Sequence, residues 1–198
     1  MKKRRVLSAV LAASMFAMLL AGCGGGNQGS AEGSQAAAIG QGAAEAESCI
    51  KIGVSGTPDL DPAIVNTGSS LIAAINIYDT LIFPSNEADE GVIPRVAEDW
   101  TISEDGLTYT FNLKKGIKFH NGDELTASDV VYSMDRLLTI GEGYAYIFTS
   151  YVEPGTTVAV DDYTVEFHLK QAYGPFINAL VRLFILNEDE VKANTQSA

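Results

Sequence analysis

Side chains able to carry out a reaction are few and scattered. His120 and His168 are far apart in the chain, and neither is flanked by a cysteine. Zinc wants three or four converging ligands, so this pair predicts no metal site. His120 falls in a tight turn, His120-Asn121-Gly122-Asp123, and His168 on the polar face of a strand. Carboxylates are abundant, but Glu98-Asp99, Glu104-Asp105 and Asp161-Asp162 all sit at turns or helix ends, where solvated acids are expected. Asp129 reads as a helix cap and not as a general base. Cys49 has no histidine nearby to activate it and reads as a free or buried thiol at a strand start. G-x-S-x-G, H-E-x-x-H and a glycine-rich phosphate loop are all missing from the sequence. No nucleophile and base can be paired, so the sequence predicts a protein that is not an enzyme and that needs no cofactor.

Contact chemistry is better represented. Tyr144, Tyr146, Phe148 and Tyr151 cluster in a segment opened by Gly141 and Gly143. Aromatic side chains in a loop offer amphipathic contact surface, and ligand contact and plain packing are equally good readings of this cluster. Trp100 is expected in the core at the start of a strand. Charge narrows the partners. Thirteen basic residues face twenty-five acidic ones, for a net charge of −12. Four of the basic residues, Lys2, Lys3, Arg4 and Arg5, stand at the N-terminus. Nucleic-acid binding needs a basic surface to neutralise phosphates, so that class is excluded. An acidic surface also weakens attachment to anionic lipid headgroups. Any tie to a membrane must then be covalent or purely apolar.

The elements that would position these groups mix helix and strand. Ile50 to Val54 alternates and predicts a strand, broken by Gly56-Thr57-Pro58-Asp59 and Asp61-Pro62. Ser69 and Ser70 are candidate N-caps for a helix with Leu71, Ile75, Tyr78 and Ile82 on its apolar face, stopped by Pro84. Asn86 to Gly91 is an acidic connector, and Val96 to Trp100 is expected as a short helical turn leading into a strand. Leu107, Tyr109, Phe111 and Leu113 alternate with polar residues, as do Tyr163, Val165, Phe167 and Leu169, which predicts two half-buried strands. Ile117 to Phe119 gives a short return strand, with Asn121-Gly122 as a hairpin signal. Thr126-Ala127-Ser128-Asp129 has the form of a capping box, with Val130, Val131, Met134, Leu137 and Leu138 behind it and Gly141 as the stop. Pro175 opens a last helix carrying Phe176, Leu180, Val181 and Phe184. The fold class expected is α/β in the broad sense, a mixed α+β architecture.

The first fifty residues have a different character. Lys2 to Arg5 form a positive start, Val6 to Leu20 an apolar run too short to span a bilayer, and Leu20-Ala21-Gly22-Cys23 a run of small residues ending in cysteine. This order resembles bacterial lipoproteins. The resemblance implies that 1–22 is a signal peptide and that Cys23 is lipidated and becomes the N-terminus. Gly24 to Ser48 is rich in Gly, Ser, Ala and Gln and reads as a flexible tether, 23–48. Residues 49–198 are left as the folded part.

A second resemblance lies within that part. Ile93-Pro94-Arg95-Val96-Ala97-Glu98-Asp99-Trp100 is followed by Ser103-Glu104-Asp105-Gly106, then by Tyr109 to Gly122, then by Leu125-Thr126-Ala127-Ser128-Asp129-Val130-Val131-Tyr132-Ser133. Tyr78-Asp79-Thr80-Leu81 and Ala172 to Phe176 fit the same pattern. The sequence closely resembles the family 5 extracellular solute-binding proteins of ABC transporters, the oligopeptide, dipeptide and nickel binders. The resemblance implies a two-lobed fold of the periplasmic-binding-protein type II kind. This chain would supply the first strand of one lobe, the accessory domain and the start of the return, as an N-terminal fragment or truncated gene product. It implies capture of a peptide or similar small solute for import, with permease and ATPase subunits as partners, on the outer face of a membrane. Asn66, Thr67 and Ser69 of the first loop, with Tyr144 and Tyr146, are the residues it would place at the ligand cleft. A surface lipoprotein on the same scaffold, an adhesin or a sensor's binding module, is the alternative reading.

Overall fold

The alternating runs become sheet. The computed structural model describes residues 51–88 and 91–195. Cys23, the signal-like start, the tether and Cys49 lie outside them. A short ladder pairs β1 (Ile82–Pro84) antiparallel with β2 (Val92–Pro94). A four-stranded antiparallel sheet follows, made of β3 (Ala97–Ile102), β4 (Thr108–Leu113), β5 (Thr157–Asp161) and β6 (Thr164–His168) in the order β3-β4-β6-β5. Phe111 stands opposite Trp100 on one side and Val165 on the other. Period two sends Tyr109, Phe111, Leu113, Val165 and Phe167 to the buried face. Thr110 and Glu166 face the other way, and the Thr110 hydroxyl donates to Glu166 Oε1 at 3.2 Å.

Helices close one face of this sheet. After α1 (Gly68–Ile77) comes the long helix α2 (Ala127–Ile140), which packs across β5 and β6 through Val130, Met134 and Leu137. Its start is tied as its sequence predicts: Thr126 N–H donates to Asp129 Oδ2 at 2.9 Å. Gly141 ends it at φ 73°, a left-handed cap that glycine adopts without strain. Then come α3 (Ala145–Phe148), α4 (Phe176–Ala179) with a 3₁₀ turn over Leu180–Arg182, and α5 (Glu188–Thr195). Aromatic rings run through the core from Phe111 to Phe167 at 5.7 Å, from Phe167 to Phe176 at 5.7 Å, and from Phe176 to Phe148 at 6.3 Å. Edge-on contacts of this kind add to what area burial alone contributes.

Several expectations are corrected. Residues 51–54 carry no strand and are exposed, for their alternating side chains meet no partner strand among the described residues. α1 is capped by Thr67, whose Oγ1 accepts the Ser70 N–H at 3.1 Å, and not by Ser69 or Ser70. It ends at Ile77, so Ile82 belongs to β1. Its expected apolar face is only partly covered: Ser69, Ser70 and Ala74 are buried and Leu71 and Tyr78 half-buried, while Ile75 is 42% exposed. Val96 to Trp100 is not helical; Ala97 starts β3, which pairs with β4 on either side of an irregularity at Glu98. The Ile117 to Phe119 return reduces to one bridge, Lys118 to Glu124. The helix after Pro175 stops after one turn at Ala179 and passes into the 3₁₀ turn, so Phe184 lies beyond it, and it is not the last. Strand β5 and helix α5 carry no clear signal in the sequence. β5 is an edge strand with Val158 and Val160 outward, so only its turn residues carried a signal. α5 has no buried residue at all and thus no apolar stripe.

Candidate functional site: a strapped loop beside an aromatic pair

The loop before α1 is fastened at every few residues. Asp61 Oδ1 accepts the Ala63 N–H at 3.0 Å, a turn closed by its own side chain. Arg136 on α2 grips the same carboxylate with two bonds, Nη1 to Oδ1 at 2.7 Å and Nη2 to Oδ2 at 2.6 Å. Such bidentate pairs fix orientation as well as charge. The Arg136 guanidinium holds the Asp61 carboxyl below the usual carboxylate range, and Asp61 in turn raises Arg136. Tyr78 donates its hydroxyl to the Leu60 carbonyl at 2.9 Å, and burial, followed by the Asp61 charge, pushes its phenol up. Asp59 N–H donates to Ser70 Oγ at 3.0 Å, and Ser55 and Ser69 hydroxyls meet at 3.3 Å.

The aromatic segment comes to this loop through a glycine. At Gly143, φ is +54° and an added Cβ would lie 2.7 Å from the Ala63 carbonyl oxygen and 3.1 Å from Val65 N. Only a residue without a side chain permits that approach. Tyr144 then packs with Leu71 and Tyr78 around the buried Val65, Ala74 and Phe184. Its ring lies 6.5 Å from that of Tyr146, which is 71% exposed. The four aromatics of the segment therefore divide. Phe148 is wholly buried and Tyr151 stacks on Tyr173 at 3.9 Å, both as packing, while Tyr144 is half-buried against the loop and Tyr146 is exposed beside it. Asn66 and Thr67 are exposed, whereas Ser69 is buried against the loop. The structure thus brings the loop and Tyr144 together.

Sequence reasoning missed Arg182. Its guanidinium carbon sits 5.2 Å above the Tyr144 ring. It also lines an apolar cavity of about 140 Å³ with Leu71, Tyr78, Phe83 and Phe184. A lone arginine after Leu180 and Val181 carried no signal, because what places it is the 3₁₀ turn that follows α4. A second cavity, of about 260 Å³, opens on the far side of Tyr78, between Phe119, Leu186 and Val191. None of the residues expected at the cleft lines either cavity. His120 is exposed in its turn, and His168 lies on the outer sheet face 3.3 Å from Glu166. Among the described residues no group of three or more His, Cys, Asp or Glu is placed to hold a metal. No helix among them is long and apolar enough to cross a membrane.

A fastened loop, a half-open aromatic pair and an apolar hollow with a cation at its rim make a surface for holding a molecule. The profile described as "Bacterial extracellular solute-binding proteins, family 5 Middle" matches residues 91–197. The chain belongs to the family 5 bacterial extracellular solute-binding proteins. Di/tripeptide-binding protein 1 of Pseudomonas aeruginosa is 32% identical over 140 residues, 63% of this chain and 26% of the relative. The dipeptide-binding protein of Escherichia coli is 35% identical over 148 residues, 65% of this chain and 27% of the relative. The ABC transporter-associated periplasmic binding protein DppA of Helicobacter pylori, solved in complex with the peptide STSA, superposes with a TM-score of 0.58 at 32% identity. That match covers 69% of this chain and 30% of the other. The fold is therefore of the periplasmic-binding-protein type II kind, mixed in helix and sheet as expected. The chain spans about a quarter of the length of the curated relatives it matches.

Proposed function

We propose that this chain serves the capture step of an ABC importer, presenting one wall of a cleft that holds short peptides for handover to a permease and its ATPase. The observation that carries this reading is the wall itself. Asp61 to Ser70 is fixed by Arg136 and Tyr78, and Tyr144 and Tyr146 stand beside it, in a family whose relatives are named for the dipeptides and tripeptides they bind. Its chemistry is recognition and not turnover. The exposed Asn66 amide and the backbone of Asn66 and Thr67 offer hydrogen bonds, the Thr67 hydroxyl being taken by the α1 cap, and the rings exclude water so that those bonds count. Ser69 acts behind them by holding the loop.

Short peptides titrated into the 198-residue chain should move the Tyr144 and Tyr146 ring resonances first, with millimolar or better affinity, about −4 kcal/mol. Unmoved tyrosines with shifts at the cavity beyond Tyr78 would relocate the site and overturn this reading.

The same proposal places the protein on the extracytoplasmic face of a membrane, held by lipid on Cys23. What supports it is the order of basic residues, short apolar run, Ala21-Gly22 and cysteine. A fatty-acid label fed to bacteria expressing the chain should mark it and should leave Cys23→Ser unmarked. Equal labelling of the two would defeat the lipid assignment.

A further inference from the structure

Three arginines follow Arg5 in the sequence: Arg95, Arg136 and Arg182. Two are neutralised within the structure. Arg95 pairs with Asp79, and Arg136 with Asp61. Arg182 has no carboxylate partner and no side-chain hydrogen bond among the described residues. Its guanidinium carbon lies 5.2 Å from the centre of the Tyr144 ring. An aromatic face meets the positive charge of a guanidinium but accepts none of its five N–H donors. Arg182 is half-buried, in a chain of net charge −12, and lines the 140 Å³ hollow together with Leu71, Phe83, Phe184 and the paired Arg95. Asp79, the acid that shares this hollow, is taken by Arg95.

We infer that Arg182 is a specificity-determining residue that receives a carboxylate of the ligand, with an apolar side chain beside that carboxylate seated in the hollow. This rests on the peptide-capture reading and adds to it a substrate class: peptides that carry an acidic group next to an apolar residue. The carboxylate can come from an acidic side chain or from a peptide C-terminus. Both present the same planar pair of oxygens to the fork.

Three probes separate these cases on the full 198-residue chain, read from the Arg182 Nε–H and Tyr144 ring resonances. They are N-acetyl-Leu-Glu-amide, N-acetyl-Leu-Leu with a free C-terminus, and the neutral N-acetyl-Leu-Leu-amide. At least one charged probe should bind about tenfold tighter than the neutral one, the scale of one charge-assisted hydrogen-bond pair, and should move Arg182. The probe that does so names the source of the carboxylate. Arg182→Gln should bring the charged probe down to the neutral one, and Arg182→Lys should recover only part of the preference. If Arg182→Gln fails to fold, the unsubstituted chain decides: raising salt from about 0.02 M to about 0.5 M should erase most of the preference. Equal binding of charged and neutral probes at the tyrosines would overturn the inference and leave peptide capture standing. No shift at either residue from any probe would overturn both.

Discussion

The sheet layer and the segment before it treat apolar side chains in opposite ways. Along β4 and β6, every side chain on the inner face is at most 3% exposed and every one on the outer face is polar. Along α1, Ser69, Ser70 and Ala74 are inside while Ile72, Ile75 and Ile77 are 38–42% exposed. The small face lets α1 lie close against the strapped loop, and the isoleucines are what is left outside. The difference separates two tasks. The sheet layer spends its apolar residues on its own stability. The segment 51–79 is held by polar fastenings and keeps apolar surface available to another molecule or segment, which is what exposed patches of this kind mark.

The contrast breaks first at Phe111. Its ring is wholly buried between Trp100 and Phe167. Phe111→Ala should cost about 3–5 kcal/mol in denaturant melts. Thr110→Ala, one residue away on the outer face, should cost under about 1 kcal/mol. Equal losses would show that the sheet has no inner and outer face.

A smaller effect should come from the loop. Asp61 has a lowered pKa in the folded chain, so its pair with Arg136 contributes stability above the unfolded carboxylate value of about 4 and loses it as the pH falls through the lowered value. Arg136→Gln should flatten the acid limb of the stability curve in that window. At neutral pH it should cost about 1 kcal/mol or less, because Asp61 is partly solvated. An unchanged acid limb would mean that the strap does not hold the loop. Smallest of all should be Ile75→Ser, within about 0.5 kcal/mol in the same melts. A loss near that of Phe111→Ala would place Ile75 in a core and remove the contrast.

What the sequence made legible follows the same division. Wherever burial is one-sided, periodicity worked: the β4 and β6 runs, the Thr126 to Asp129 cap and the Gly141 stop are all found as expected. Periodicity was only half right on α1: Leu71 and Tyr78 of its stripe pack toward the loop, but Ile75 lies outside and Ser69, Ser70 and Ala74 take the buried face. It misled at 51–54 because alternation makes a strand only when a neighbouring strand pairs with it. Of the residues expected at the cleft, Tyr144 could be read from a glycine-flanked aromatic segment. Gly143 itself owes its place to a 2.7 Å approach that only the fold creates. Arg182 is in the same position: its meaning depends on two other arginines being paired elsewhere.

Asp129 ties together helices that are far apart in the chain. One carboxylate oxygen receives Thr126 N–H, and the other receives Glu188 N–H at 2.9 Å, 59 positions later. Next to it, Ser133 Oγ accepts the Leu186 N–H at 2.9 Å. α5 buries no residue of its own, so much of its anchorage is borrowed from the first turns of α2. In amide hydrogen exchange the two helices should accordingly open in a fixed order. Each opening of the α2 start frees the Glu188 amide, whereas α5 can unravel alone and leave α2 protected. The slowest-exchanging amides of 188–195 then report on the solidity of a helix to which they do not belong.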